Sequence, residues 1–167
     1  VPVVINYLPD NTSWVYIEDL PEEIYSIRYK PDNSTEYAQK ALKLLGENAF
    51  ADNTWGIDHA LWTTLSNMYP EGDVPVVVIS TDTDGTPENM VENGRRLAPL
   101  RDEGVLIFAT GNVVHNVDLV DHNMTGGLKW AEDFDREVKE RVLRRDLEGL
   151  TCYRRIKDHE LAVPSPD

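Results

Sequence analysis

Two apolar runs, at 74–80 and 105–109, constrain this chain most, because neither alternates polar with apolar residues as a strand with one wet face must. Runs of this kind fit strands of a parallel sheet covered by helices on both faces. Between them, 87–103 predicts a helix. Pro87 stands at its N-terminal position, Pro99 should kink it, and Gly104 marks its end. Strand, helix and strand at this separation form a βαβ unit, and ligands in open α/β sheets collect outside the carboxyl ends of such strands. Residues 80–85 and 110–116 occupy those ends.

The rest of the chain reads consistently with that unit. Val3-Val4-Ile5-Asn6-Tyr7 and Trp14-Val15-Tyr16-Ile17 are β-branched and aromatic, with Pro9-Asp10-Asn11 between them as turn chemistry. Over 35–49, Tyr37, Ala38, Ala41, Leu44 and Leu45 form one stripe at helical spacing, after Asn33-Ser34 as cap candidates. A shorter helix over 60–69 stops at Pro70 and the Glu71-Gly72-Asp73 turn. The last helix, 127–145, places Trp130, Phe134, Val138 and Val142 every fourth position, with acids in its first turns and Arg144-Arg145 at its end. No repeat interrupts the pattern. The expectation is an α/β fold with a mostly parallel central sheet flanked by helices, as a single domain over 1–167.

Charge narrows the partners. Thirty acidic residues against sixteen basic ones leave a formal charge of -14, which repels nucleic acid phosphates and anionic lipid. No apolar run approaches the length of a membrane span. The lone Cys152 cannot form an internal disulfide, and the start of the chain lacks the order of a secretory signal, so a cytoplasmic setting is expected. The triplets at Asn11, Asn33 and Asn123 carry no weight without such a signal. Nothing in the pattern encodes the oligomeric state.

Chemistry-bearing motifs are few. There are four histidines, at 59, 115, 122 and 159, and no Cys-x-x-Cys, phosphate-binding loop or Gly-x-Ser-x-Gly elbow. His115 follows the second apolar run and Gly111, a position from which its imidazole would project into a cleft for acid/base or metal chemistry. A loop histidine that only satisfies backbone groups is the plainer alternative. His122 and His159 stand in polar segments and are assigned no site. Tyr69, Trp62 and Trp130 read as core rather than as surfaces for stacking an aromatic ring.

A family resemblance weighs on that choice. Arg101-Asp102-Glu103-Gly104-Val105-Leu106-Ile107, running into Thr110-Gly111-Asn112-Val113-Val114-His115-Asn116, resembles the signature of the LigB-like class III extradiol ring-cleavage dioxygenases. The branch containing the 4,5-DOPA extradiol dioxygenases is nearest. The same branch is echoed by Leu20-Pro21-Glu22-Glu23-Ile24-Tyr25, by Trp55-Gly56-Ile57-Asp58-His59-Ala60-Leu61-Trp62, and by Met68-Tyr69-Pro70 with Asp73-Val74-Pro75-Val76-Val77. Ala60 stands where the family pattern has Gly.

The resemblance implies an enzyme in which a non-haem Fe(II), with zinc as a possible substitute, holds the two hydroxyls of a catechol and activates O2 at an open position. It implies that His115 moves a proton to and from the catechol, a task suited to imidazole, and that His115 also serves as a metal ligand. His59 matches a second pocket histidine that orients or deprotonates the substrate, with a helix-capping loop residue as the alternative. Asp58 and Asn116 would hold the two imidazoles in their tautomers, or else are turn residues. The expected partners are a small aromatic diol, DOPA-like or otherwise, and O2.

The resemblance also implies residues beyond this chain. Related enzymes begin with a Gly-His-Gly segment and then an Ala-His segment, each carrying a metal histidine, and both would precede Val1. Pro164-Ser165-Pro166-Asp167 resembles the Thr-Pro-Glu that precedes the family's last metal histidine. The expectation is therefore a central portion of a longer enzyme, inactive alone. Rival readings are a non-catalytic acidic α/β binding or scaffold relative that lost the iron, and a zinc-dependent hydrolase on the same fold.

Overall fold

The computed structural model describes residues 3–6, 28–32, 34–54, 57, 59–82, 84–121 and 123–164. The strand expected at Trp14-Val15-Tyr16-Ile17 lies outside them. The chain gathers into two compact units, Val1–Asp82 with Asn93–Thr110, and Thr83–Glu92 with Gly111–Asp167.

The first unit is built on a three-stranded sheet in the order β2-β1-β3, made of β1 (Val3–Asn6), β2 (Ala49–Ala51) and β3 (Val78–Ile79). β1 runs parallel to β2, with Val3 opposite Ala49 and Ile5 opposite Ala51, and antiparallel to β3, with Ile5 opposite Ile79. Val3 and Ile5 point to one face by the period of two. There they pack on Ala38, Ala41 and Leu45 of α1 (Thr35–Leu45), and Leu97 and Leu100 close the cluster. α1 forms where the stripe predicts it. The Ser34 hydroxyl accepts from the Tyr37 N–H at 3.4 Å, and the helix ends at Gly46, whose φ of 72° suits a residue without Cβ. Arg96 Nη1 donates to the Leu45 carbonyl at 3.1 Å and satisfies one orphan acceptor of the last turn.

Two expectations are corrected here. The α/β class holds, but the sheet is small and mixed rather than mostly parallel, and its parallel pair is β1 with β2, with α1 between them in sequence. Within 74–80 only Val78–Ile79 forms a strand, β3, while Val76, just past Pro75, makes an isolated bridge and donates its N–H to the Asp32 carbonyl at 2.9 Å. The run 105–109 makes no ladder at all, and Leu106, Ile107 and Phe108 are 64%, 45% and 40% exposed. An apolar run records the burial a strand requires, and no neighbouring strand supplies it among the described residues. The helix expected over 87–103 is α3 (Pro87–Leu97), and the chain then tightens into a 3-10 turn, Ala98–Glu103, around Pro99.

A second cluster in this unit joins Tyr29, Ile57, Trp62 and Leu65, the last two on α2 (His59–Met68). The turn after α2 depends on Gly72, at φ 67°, where an added Cβ would lie 2.7 Å from the Lys30 carbonyl oxygen. Gly72→Ala should therefore cost about 1–3 kcal/mol in urea unfolding. A loss below about 0.5 kcal/mol, the range of an ordinary surface change, would contradict this reading.

The Tyr29 hydroxyl donates to the Tyr69 carbonyl at 3.0 Å. Burial, followed by the Asp73 carboxylate and the Tyr69 phenol, pushes the Tyr29 phenol above its ordinary range. A raised value in the folded state means that this contribution is complete below the ordinary phenol range and is lost as pH rises through the raised value. In alkaline denaturation Tyr29→Phe should lose stability less steeply than the parent, and equal slopes would contradict the assignment.

The second unit packs helices around Phe134, Ile156 and Ala162. α4 (Lys129–Arg144) supplies Phe134, with Trp130 and Val138 beside it. Val142, expected on the same stripe, is 55% exposed, because steps of four residues drift by about 40° each around a helix of 3.6 residues per turn. Arg141 pairs with Glu137 and donates through Nη1 to the Gly149 carbonyl at 2.7 Å, tying α4 to α5 (Leu147–Thr151). The remaining ion pairs of α4, Lys129–Asp133, Arg136–Asp133 and Arg144–Glu140, lie on its surface, where such pairs add little. A last short helix, α6 (His159–Ala162), follows Asp158 at φ 61°. No helix among the described residues is long and apolar enough to cross a membrane.

Candidate active site in the second unit

The segment that carries His115 is fixed from three directions. Val114, immediately before it, packs against the Phe134, Ile156 and Ala162 cluster. The His115 N–H donates to the Ala162 carbonyl at 2.8 Å. Asn116 Nδ2 donates to the Leu161 carbonyl, also at 2.8 Å. Both acceptors belong to the last residues of α6, where a helix has no partners of its own for its carbonyls. A 3-10 turn, Val117–Leu119, then carries the chain away. The backbone of His115 is thus held while its side chain stays exposed.

His115 lines an open recess of about 300 Å³. Its walls come from Val114, Val117 and Val120, and from Met124, Gly127 and Trp130 near the start of α4. Gly127 lets the wall close up. Its N–H donates to Glu132 Oε1 at 3.2 Å, and a Cβ there would stand 3.0 Å from Glu132 Cγ. His115 and Asp121 are the ionisable groups among the described lining residues, with no Lys or Arg beside them. Asp121 Oδ1 accepts from the Asn123 N–H at 2.9 Å, which shapes the loop below the cavity. An apolar recess with one imidazole and few charges can hold a flat aromatic molecule and exchange a proton with it.

Of the residues singled out in the sequence, His115 and Asn116 come together at this cavity. The Asn116 amide is committed to α6, and no hydrogen bond joins it to the His115 ring among the described residues. His59 opens α2 in the first unit, its side chain outside what is described, and Asp58 and His122 lie outside the described residues altogether. His159 bonds through Nδ1 to the Ile156 carbonyl at 3.3 Å and meets the Tyr153 ring edge-on. Trp62 is core, as expected, whereas Trp130 serves both core and cavity. Sequence reasoning missed the α6 carbonyls. Four residues behind an Asp in the left-handed region leave no periodic signal to find.

Among the described residues, no group of three or more His, Cys, Asp or Glu side chains is gathered to hold a metal ion. His115 alone does not make up the ligand set of an open metal site.

The chain is similar to known proteins along most of its length. The family model described as the catalytic LigB subunit of aromatic ring-opening dioxygenase matches residues 1–162. A protein of Escherichia coli (strain K12) named 4,5-DOPA dioxygenase extradiol is 38% identical over 153 residues, 88% of this chain and 56% of that protein. Proteins of the same name from Mirabilis jalapa and Beta vulgaris are 30% and 31% identical, covering 90% and 98% of this chain and 58% and 63% of their own length. The chain therefore spans little more than half the length of these curated relatives. A crystal structure of an uncharacterized protein of Escherichia coli K12 superposes with a TM-score of 0.82 at 29% identity, over 99% of this chain and 65% of that one.

Proposed function

Because the chain belongs to the family of catalytic LigB subunits of aromatic ring-opening dioxygenases, we propose that the protein it represents opens a catechol ring with O2 by extradiol cleavage. DOPA or a related diol is the substrate. The relatives' shared name, 4,5-DOPA dioxygenase extradiol, supports this reading. The observation that carries it is the placement of His115, exposed at the wall of an apolar cavity with its backbone pinned.

Enzymes of this family generally use a metal ion, and the proposed ion is Fe(II), for which zinc is an inert substitute. When bound, the ion would hold the diol hydroxyls and activate O2. Among the described residues only His115 is a candidate to hold the ion, and it would do so in place of the proton transfer to and from the diol, because a neutral imidazole has a single lone pair to give. The remaining ligands, and the part of His59 in orienting substrate with Asp58 beside it, lie outside the described side chains.

What the described residues do is position and move protons. Val114, Val117 and Trp130 offer apolar surface against which the ring face can lie. A ring nitrogen of His115 accepts the proton of a diol hydroxyl and returns one when the ring opens, as a general base and then a general acid. The setting proposed is cytoplasmic, with neither nucleic acid nor membrane as partner.

The test is anaerobic loading of the full-length protein with Fe(II) or with Zn(II), followed by a panel of catechols and then oxygen. A yellow ring-opened semialdehyde should form with Fe(II) and fail to form with Zn(II). No coloured product across the panel would overturn the reading.

A further inference from the structure

The two hydrogen bonds between the His115 segment and α6 do more than close a helix end. Resting on the role proposed for His115, the geometry points to Asn116 as a positioning residue, which locks the His115 backbone onto the C-terminal end of α6 and so fixes where the imidazole stands in the cavity. Asn116 Nδ2 reaches the Leu161 carbonyl at 2.8 Å, 45 residues along the chain, while the neighbouring His115 N–H reaches the next carbonyl, that of Ala162, at the same distance. Consecutive donors thus meet consecutive acceptors.

The His115 bond fixes a distance, and the Asn116 bond beside it fixes the direction in which the segment leaves Val114. The acceptors are themselves anchored. Ala162 is fully buried against Phe134 and Ile156, and its N–H donates to the Asp158 carbonyl at 3.0 Å. On the other side, Val114 enters the same cluster, so the segment cannot follow a displaced histidine without opening the core. The Asn116 side chain is half-buried and makes its bond to α6 rather than to the imidazole, so it acts on His115 through the backbone. A shift of about 1 Å in a reacting group can cost as much as 100-fold in rate, which is the scale on which such a lock matters.

The experiment pairs Asn116→Asp with Asn116→Gln in the full-length protein. The carboxylate keeps the shape of the side chain but has no N–H to donate at neutral pH, whereas glutamine keeps the donor at a half-exposed position that can take one more methylene. In Asn116→Asp the His115 amide should exchange with solvent about fivefold to tenfold faster than in the parent, with the amides of Val138 in α4 unchanged. In the same variant kcat should fall about tenfold with KM within twofold, and Asn116→Gln should recover most of both losses. Unchanged exchange at His115 in Asn116→Asp would overturn the lock. Faster exchange with unchanged kcat would overturn its positioning role. If the parent turns over no catechol, the ring-opening reading fails by itself, and the exchange comparison still decides whether Asn116 locks the segment.

Discussion

His115→Gln should lower kcat for ring opening by about 10²- to 10⁴-fold, the range associated with losing a positioned general acid/base. The effect should appear in rate rather than in folding, because the side chain holds nothing in the fold. The imidazole is exposed, and the hydrogen bond that holds its residue is made by the backbone N–H, which glutamine retains. Stability should therefore stay within about 0.5 kcal/mol of the parent, as for other exposed positions. A large rate loss with an unchanged denaturation midpoint places the defect in chemistry. A rate within threefold of the parent would remove His115 from the mechanism.

The second large effect is structural. Phe134→Ala should destabilise the second unit by about 3–5 kcal/mol, because Phe134 is 2% exposed and forms the centre of the cluster that holds Ile156 and Ala162. Val114 and Trp130 both rest against that cluster and both line the cavity, so the change should loosen the site as well as the helices. Urea denaturation followed by tryptophan fluorescence measures the loss, with Phe134→Leu expected to cost less because it fills more of the void. A loss under about 1 kcal/mol for the alanine variant would mean that the unit collapses around the gap or is held together elsewhere.

Much of the local structure is legible in the sequence, for identifiable reasons. α1 and α4 are found because each buries a stripe at helical spacing, α2 because Pro70 and the turn after it mark its end, and α1 is capped by Ser34 as expected. β2 escapes because its three residues follow a glycine at the end of what reads as one long helical pattern. The run 105–109 misleads in the opposite direction, since its composition reports a need for burial but cannot name the neighbour that meets it. The same contrast holds at the site. His115 is visible through the motif around it, and the cavity is not, because Met124, Gly127 and Trp130 come from a later loop and helix with no shared spacing. Asn116 is singled out beside a histidine, yet its partner is a carbonyl 45 residues away, and no single-sequence pattern encodes a contact of that range.

Ring opening by dioxygen at an extradiol bond is tested most directly by oxygen uptake of the full-length, Fe(II)-loaded protein with DOPA and labelled O2, followed by mass analysis of the trapped product. One O2 should be consumed per ring opened, with both labelled atoms in the product and cleavage beside the diol. Cleavage between the two hydroxylated carbons, or diol consumption without incorporation of oxygen, would contradict it.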